Sequence, residues 1–266
     1  MTQAERRRFL IQTLLDEKPE YADMAIPAGA GEQRRLLRSL MNVRLPGPAD
    51  ADFLRIQDAY LQEETAKKGI TDLAALTPVQ GDIYLWQGDI TTLRCDAIVN
   101  AANSGLTGCY CPCHGCIDNA IHSFSGVQLR LACDGLMRQQ GHEEPVGRAK
   151  ITPAYNLPCK YVLHTVGPII TGALTEQDCR LLASCYRACL QLAQQQDLSS
   201  IAFCCISTGE FHFPNQAAAE IAVQTVQAYK TTTHSKIKVI FNVFKETDYH
   251  IYRSLLTADQ APETGA

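Results

Sequence analysis

The chain has 266 residues, 46% hydrophobic and 20% charged, with a formal net charge of -4. That much apolar material builds a substantial core and exceeds what one average domain needs, so a main domain with an extension is expected. The mild acidity excludes a broad cationic face, which argues against a nucleic-acid partner, and no run reaches the roughly 18 apolar residues of a membrane span.

The N-terminus reads poorly as a secretory signal. Arg6, Arg7 and Arg8 precede an apolar patch at 9–15, but Asp16 and Glu17 follow it with no small-residue cleavage site. With twelve cysteines, a reducing, cytoplasmic setting is therefore expected. Apolar residues then recur at helical spacing: Phe9, Leu10, Leu14 and Leu15; Leu36, Leu37 and Leu40; Phe53, Ile56, Tyr60 and Leu61. Asp50 and Asp52 are cap candidates and Gly69 a stop, and Pro/Gly-rich stretches at 26–31 and 45–48 separate the helices. This predicts a helical extension over 1–80.

From 81 onward the pattern changes. Short apolar strands are predicted over 83–86, 97–101, 149–155, 161–166, 201–206 and 238–244, with helices over 117–140, 176–196, 215–231 and 247–257. Such alternation predicts an α/β domain over 81–257, with helices on both faces of a parallel or mixed sheet, and 258–266 reads as a flexible tail. In that architecture ligands gather beyond the carboxyl ends of the strands.

Two predicted loops at such ends carry chemistry. Cys109, Cys111, Cys113, His114, Cys116 and Asp118 fall within ten residues, immediately after Asn100-Ala101-Ala102-Asn103. Thiolate and imidazole together suit zinc; four protein ligands make a closed structural site, whereas three leave a position for water or substrate. The second loop, 207–214, leaves an apolar strand and enters a helix near Pro214, so its successive backbone amides and the helix N-terminus can hold a phosphate without a basic side chain; Ser, Thr and Gly before a helix also serve as plain turn chemistry.

These segments resemble the macrodomain family, specifically its zinc-dependent branch. The matching residues are Gly88-Asp89-Ile90-Thr91, Asn100-Ala101-Ala102-Asn103, Ile117-Asp118-Asn119-Ala120-Ile121-His122 and Ile206-Ser207-Thr208-Gly209, with the cysteine-histidine insertion marking the branch. The resemblance implies a three-layer α/β/α sandwich with a mixed central sheet, and a zinc-dependent hydrolase that removes mono-ADP-ribose from protein side chains. It assigns Asp89 and Ile90 to adenine, Asn103 to the distal ribose, Ser207 to Phe211 to the diphosphate, and Cys109, His114 and Cys116 to one zinc per chain. Asp118 and Asn103 are then the catalytic candidates, and ADP-ribose and mono-ADP-ribosylated proteins the partners. The chain departs from ordinary macrodomains in carrying thiols where they have a glycine-rich loop, and His212 where a second glycine is usual.

Rival readings accompany each assignment. Cys111 and Cys113 fit a place outside the metal shell. Cysteines elsewhere suit small buried hydrophobes; His122, one turn past Asp118, suits a structural hydrogen bond, and Asp118 alone would serve as a helix-start carboxylate. Pro112-Cys113-His114-Gly115-Cys116 also matches half of a nucleobase-deaminase signature, but the H-x-E half has only His142-Glu143-Glu144, on the wrong side in chain order. A non-catalytic ADP-ribose reader with a closed structural zinc is the remaining alternative.

Overall fold

A computed structural model describes residues 1–21 and 23–258. Three helices come first: α1 (Gln3–Asp16), α2 (Ala30–Val43) and α3 (Ala51–Lys68). Thr2 closes a capping box on α1, Asp50 caps α3 through the amides of Asp52 and Phe53, and Gly69 ends α3 at φ +89°. Their apolar stripes form a small core of their own, including Leu10, Leu14, Leu37, Leu40, Phe53, Ile56 and Tyr60, joined by Val127 from the following region.

The second region begins with β1 (Thr71–Asp72), β2 (Ile83–Gln87), β3 (Leu93–Arg94) and β4 (Ala97–Ala101), then α4 (Ile117–Ser125) and α5 (Val127–Gln140). It continues with β5 (Ala149–Pro153), β6 (Tyr161–Thr165), α6 (Glu176–Gln195), β7 (Ser200–Phe203), α7 (Asn215–Thr233), β8 (Lys238–Val243) and α8 (Glu246–Ala258). Six strands form one mixed sheet in the order β2-β8-β7-β4-β6-β5, parallel except for the β5–β6 pair, while β1 and β3 make a separate parallel ribbon. Ala97, Ile98 and Val99 are fully buried in succession, the pattern of a central strand covered on both faces, and the helices complete a three-layer α/β/α arrangement. Cys133, Cys185 and Cys189 have no solvent exposure, and Cys95, Cys159 and Cys204 very little; they pack as small apolar residues.

Three predicted elements differ most from what is observed, the others matching to within one or two residues at their ends. The single helix over 117–140 is broken at Gly126, φ +102°, because the buried Gln57 of α3 accepts from the Val127 amide at 3.0 Å and starts a new helix there. A Cβ at Gly126 would lie 2.7 Å from the Gln57 side chain, so the glycine is required twice over. The strand over 149–155 stops at Pro153, and Tyr155 is left-handed at φ +54°. The strand over 201–206 ends at Phe203, releasing Cys204 onward into the loop. Of the predicted tail at 258–266, Ala258 is the last residue of α8, and 259–266 lie outside the described residues. Among the described residues, no helix is long and apolar enough to cross a membrane.

Candidate active site and metal centre

Because β2, β4, β6, β7 and β8 run parallel, their carboxyl ends lie along one edge of the sheet, and their loops share it. Asp89 follows β2 and caps a short 3-10 turn, Asn103 and the 104–116 loop follow β4, the 204–214 loop follows β7, and Phe244 follows β8. The edge thus carries the predicted residues in sheet order, from Asp89 at the end of β2 to the thiol loop after β4.

Asp89 has both carboxylate oxygens engaged. Thr91 donates to Oδ1 from its amide at 3.0 Å and its hydroxyl at 2.6 Å, and Lys68, at the end of α3, donates to Oδ2 at 3.0 Å. Burial pushes the carboxyl up, but the Thr91 bonds and the Lys68 ammonium outweigh it, so its pKa falls below the ordinary value. Ile90 is 2% exposed, which leaves its backbone, not its side chain, to meet a ligand. Phe244, which no sequence argument singled out, is 77% exposed and one residue past the Val243 carbonyl that accepts from Gly88 at 3.0 Å. Its signal was an aromatic residue placed just after an apolar strand, which the prediction had absorbed into the strand.

The thiol loop folds around three of its side chains. The ligand atoms of Cys109, His114 and Cys116 all lie within 4.8 Å of one another, with Cys109 Sγ 3.7 Å from His114 Nδ1. A tetrahedral zinc with bonds of about 2.3 Å to sulfur and 2.0–2.1 Å to nitrogen separates such a pair by about 3.6 Å, so the donor set fits the ion in type and spacing. Cys116 caps α4, its Sγ accepting from the Asn119 amide at 3.4 Å. Burial pushes this thiol up to about 12 despite the helix end, so a bound cation must displace its proton. His114 Nε2 stands 3.6 Å from the Glu210 carboxylate of the 204–214 loop, the kind of outer partner that orients a ligating imidazole. Cys113 Sγ turns toward Ser39 Oγ at 3.3 Å and the Arg35 carbonyl at 3.4 Å, and Cys111 is exposed.

Asp118 sits one residue into the first turn of α4, 5% exposed. Its Oδ1 accepts from Asn100 at 2.8 Å and its Oδ2 from Asn103 at 3.3 Å; Asn103 also donates to the Gly108 carbonyl at 3.2 Å. Burial raises the carboxyl to about 6, against the opposing Asn100 bond and Arg130 charge. The structural hydrogen bond expected of His122 is not made: neither ring nitrogen has a partner, and Asp118 Oδ1 stands 3.5 Å from Nε2. Gly108 packs so closely on this ring that a Cβ there would lie 2.7 Å from it.

In the 204–214 loop, the His212 and Phe213 amides turn inward to the Gly209 and Ser207 carbonyls, at 3.0 and 2.9 Å. Among the described residues, the amides of Gly209, Glu210 and Phe211 donate to no protein acceptor. Ser207 and His212 adopt left-handed φ of +64° and +57°, so His212 holds the conformation that a glycine at that position would take freely. Pro214 is the N-cap of α7 and not its first helical residue. The Ile170 amide donates to the Phe211 carbonyl at 2.9 Å and braces the loop from the β6 side. His142-Glu143-Glu144 lies between α5 and β5, occupied by Gln140 and Lys150, and among the described residues joins no metal-competent cluster, which removes the deaminase signature's third ligand.

A mixed α/β sheet whose strand-end loops share one edge, one of them carrying a thiol-imidazole cluster, defines an α/β protein with its candidate site at the strand ends. The Macro domain family model matches residues 99–222. A protein-ADP-ribose hydrolase of Treponema medium is 62% identical over 261 residues, spanning 97% of this chain and 100% of that protein. One of Staphylococcus aureus is 48% identical over 256 residues, 96% of each. Among solved structures, a Trypanosoma brucei macrodomain in complex with ADP-ribose is 28% identical over 82% of this chain and 94% of its own, with a TM-score of 0.65. An Oceanobacillus iheyensis macrodomain with ADP is 36% identical over 67% and 91%, with a TM-score of 0.61. The chain belongs to the macro-domain family.

Proposed function

We propose that this chain is a zinc-dependent hydrolase that removes mono-ADP-ribose from modified protein side chains. The observation that carries the reading is the three-donor cluster of Cys109, His114 and Cys116, whose chain neighbour Asp118 is a carboxylate held by Asn100 and Asn103. Full-length relatives named for that hydrolysis support the reaction class.

Each residue's part follows from its bonding. Asp89, kept ionised by Lys68 and Thr91, accepts the adenine amino group, and exposed Phe244 offers a face for the base to stack on. The amides of Gly209, Glu210 and Phe211 hold the diphosphate in a nest of donors, with Ser207 and Thr208 shaping the turn. Asn103 positions the distal ribose at the rim. Cys109, His114 and Cys116 would hold zinc, which supplies Lewis acidity at that end of the cleft when bound. Asp118 orients the group that attacks or accepts its proton at Oδ2, and its raised pKa suits proton transfer near neutrality.

The test pairs turnover with binding on one sample. Incubation with mono-ADP-ribosylated proteins of defined linkage should release ADP-ribose from the intact protein and not after gentle chelation or in Cys116→Ala, while calorimetry still detects ADP-ribose binding. Full release without zinc would return catalysis to Asn103 and Asp118 alone. No release on any linkage would favour the non-catalytic reader.

A further inference from the structure

The 104–116 loop has no regular secondary structure, yet its thiols and imidazole must hold a fixed shape to bind an ion. Much of its hydrogen bonding comes from α2, outside the α/β region. Arg38 donates from Nη2 to the His114 carbonyl at 3.1 Å, and from Nη2 and Nε to Asn119 Oδ1 at 2.7 and 3.2 Å. Asn119 is fully buried, and its Nδ2 faces the loop, donating to the Cys111 carbonyl at 2.9 Å and more distantly, at 3.5 Å, to that of Cys109. Asn42 Oδ1 accepts from the Cys113 amide at 2.9 Å, and Cys113 is left-handed at φ +53°, a conformation a non-glycine residue keeps only when its surroundings enforce it.

The geometry points to α2 as the positioning element of the metal loop. Arg38 fixes which way the Asn119 amide faces, and that amide holds the carbonyls on the segment between the donors Cys109 and His114. With the guanidinium gone, the His114 carbonyl loses its donor and Asn119 Oδ1 keeps only the Ser123 hydroxyl at 3.4 Å, so the amide that holds the loop is less firmly held and the loop loses part of its anchor. An amide and a guanidinium placed behind the ligands in this way act on metal affinity, where loss of such partners typically costs about 10–100-fold. This inference rests on the zinc reading above.

The experiment titrates zinc alone into full-length protein against a chromophoric chelator. Arg38→Met keeps an unbranched apolar stem and removes the guanidinium, whose Cζ lies 5.9 Å from the centre of the Phe124 ring. It should weaken zinc binding about 10–100-fold, while zinc-free melting stays close to that of the unaltered protein and Arg38→Lys recovers part of the loss. Unchanged zinc affinity in Arg38→Met would overturn the inference and leave the proposed function standing. Should Arg38→Met fail to fold, Asn119→Asp decides: it keeps a partner for Arg38 but loses both donors to the loop, and wild-type affinity in that variant overturns the inference equally. Failure of the intact protein to bind zinc would refute both readings.

Discussion

Asp118→Asn is expected to make the zinc-free protein more stable while nearly abolishing turnover. Burial raises this carboxyl from 3.8 to about 6, so at pH 7 the fold carries an ionised group it would rather protonate. About 2.2 units at 1.36 kcal/mol each is roughly 3 kcal/mol of destabilisation. The amide that replaces it must turn its NH2 toward one of two amide donors, Asn100 or Asn103, which returns about 1 kcal/mol. The net gain of about 2 kcal/mol corresponds to a melting shift of roughly 4–8 °C for a chain of this size. The sign fixes the pH dependence. A carboxyl raised in the fold binds more protons there than in the unfolded chain, so the wild-type penalty is full above about pH 6 and gone below about 4. Thermal unfolding in chelator at pH 7 and pH 4 should therefore show the gain only at the higher pH. Release of ADP-ribose by the zinc-loaded variant should fall about 10²–10⁴-fold, as when a general base is removed. A variant that is less stable than wild type at pH 7, or that turns over normally, would refute the reasoning.

Other perturbations separate the remaining parts. Asp89→Ala should weaken ADP-ribose binding by about 1–3 kcal/mol, because the adenine amino group and the Thr91 donors lose their acceptor; unchanged affinity by calorimetry would remove Asp89 from the adenine site. Gly209→Val should be tolerated by the fold, since a Cβ there meets nothing within 4 Å, yet should block phosphate from the loop amides, so normal binding would count against the diphosphate assignment. His122 and His164 are kept neutral by burial, His164 down to about 3 and His122 well below its ordinary value. The unfolded imidazoles protonate first, so stability falls as pH drops below about 6.5, by roughly 2 kcal/mol at pH 5 from His164, with His122 acting in the same direction and Asp118 partly offsetting both; chemical denaturation showing no loss between pH 7 and 5 would contradict this.

How much could be read from the chain depended on whether a feature was local. Asp50 and Gly69 bracket α3 because caps act within one turn, and the alternation of short apolar runs with amphipathic stretches reported the mixed sheet and its helices directly. The helix break at Gly126 was not legible, because its cause is Gln57, sixty-nine positions away in sequence but bonded to the next amide. Phe244 was missed since an exposed aromatic at a strand end looks like one more strand residue until the parallel register ends at Gln87 and Val243 and sets it at the same sheet edge as Asp89. The proximity of the four thiols was visible in their spacing, but their division was not. Cys113 turns toward Ser39 and Arg35, and nothing local in the loop foretells a partner on α2.

The cysteines buried in the sheet and its helices have a chemical consequence beyond packing. Only the thiolate attacks electrophiles, and burial pushes Cys159 and Cys204 up to about 12 and Cys185 to about 11, so these sulfurs are silent toward alkylating reagents as well as out of their reach. Cys111 is exposed on the loop and Cys109 half-buried, whereas half-buried Cys116 is pushed up to about 12 like the interior thiols. Of its twelve thiols, the folded molecule thus exposes Cys111 and half-exposes Cys109 and Cys113 on one short segment, with Cys179 and Cys205 the partly exposed ones outside it. Alkylation by iodoacetamide followed by peptide mapping would report the state of that segment with little background from the interior.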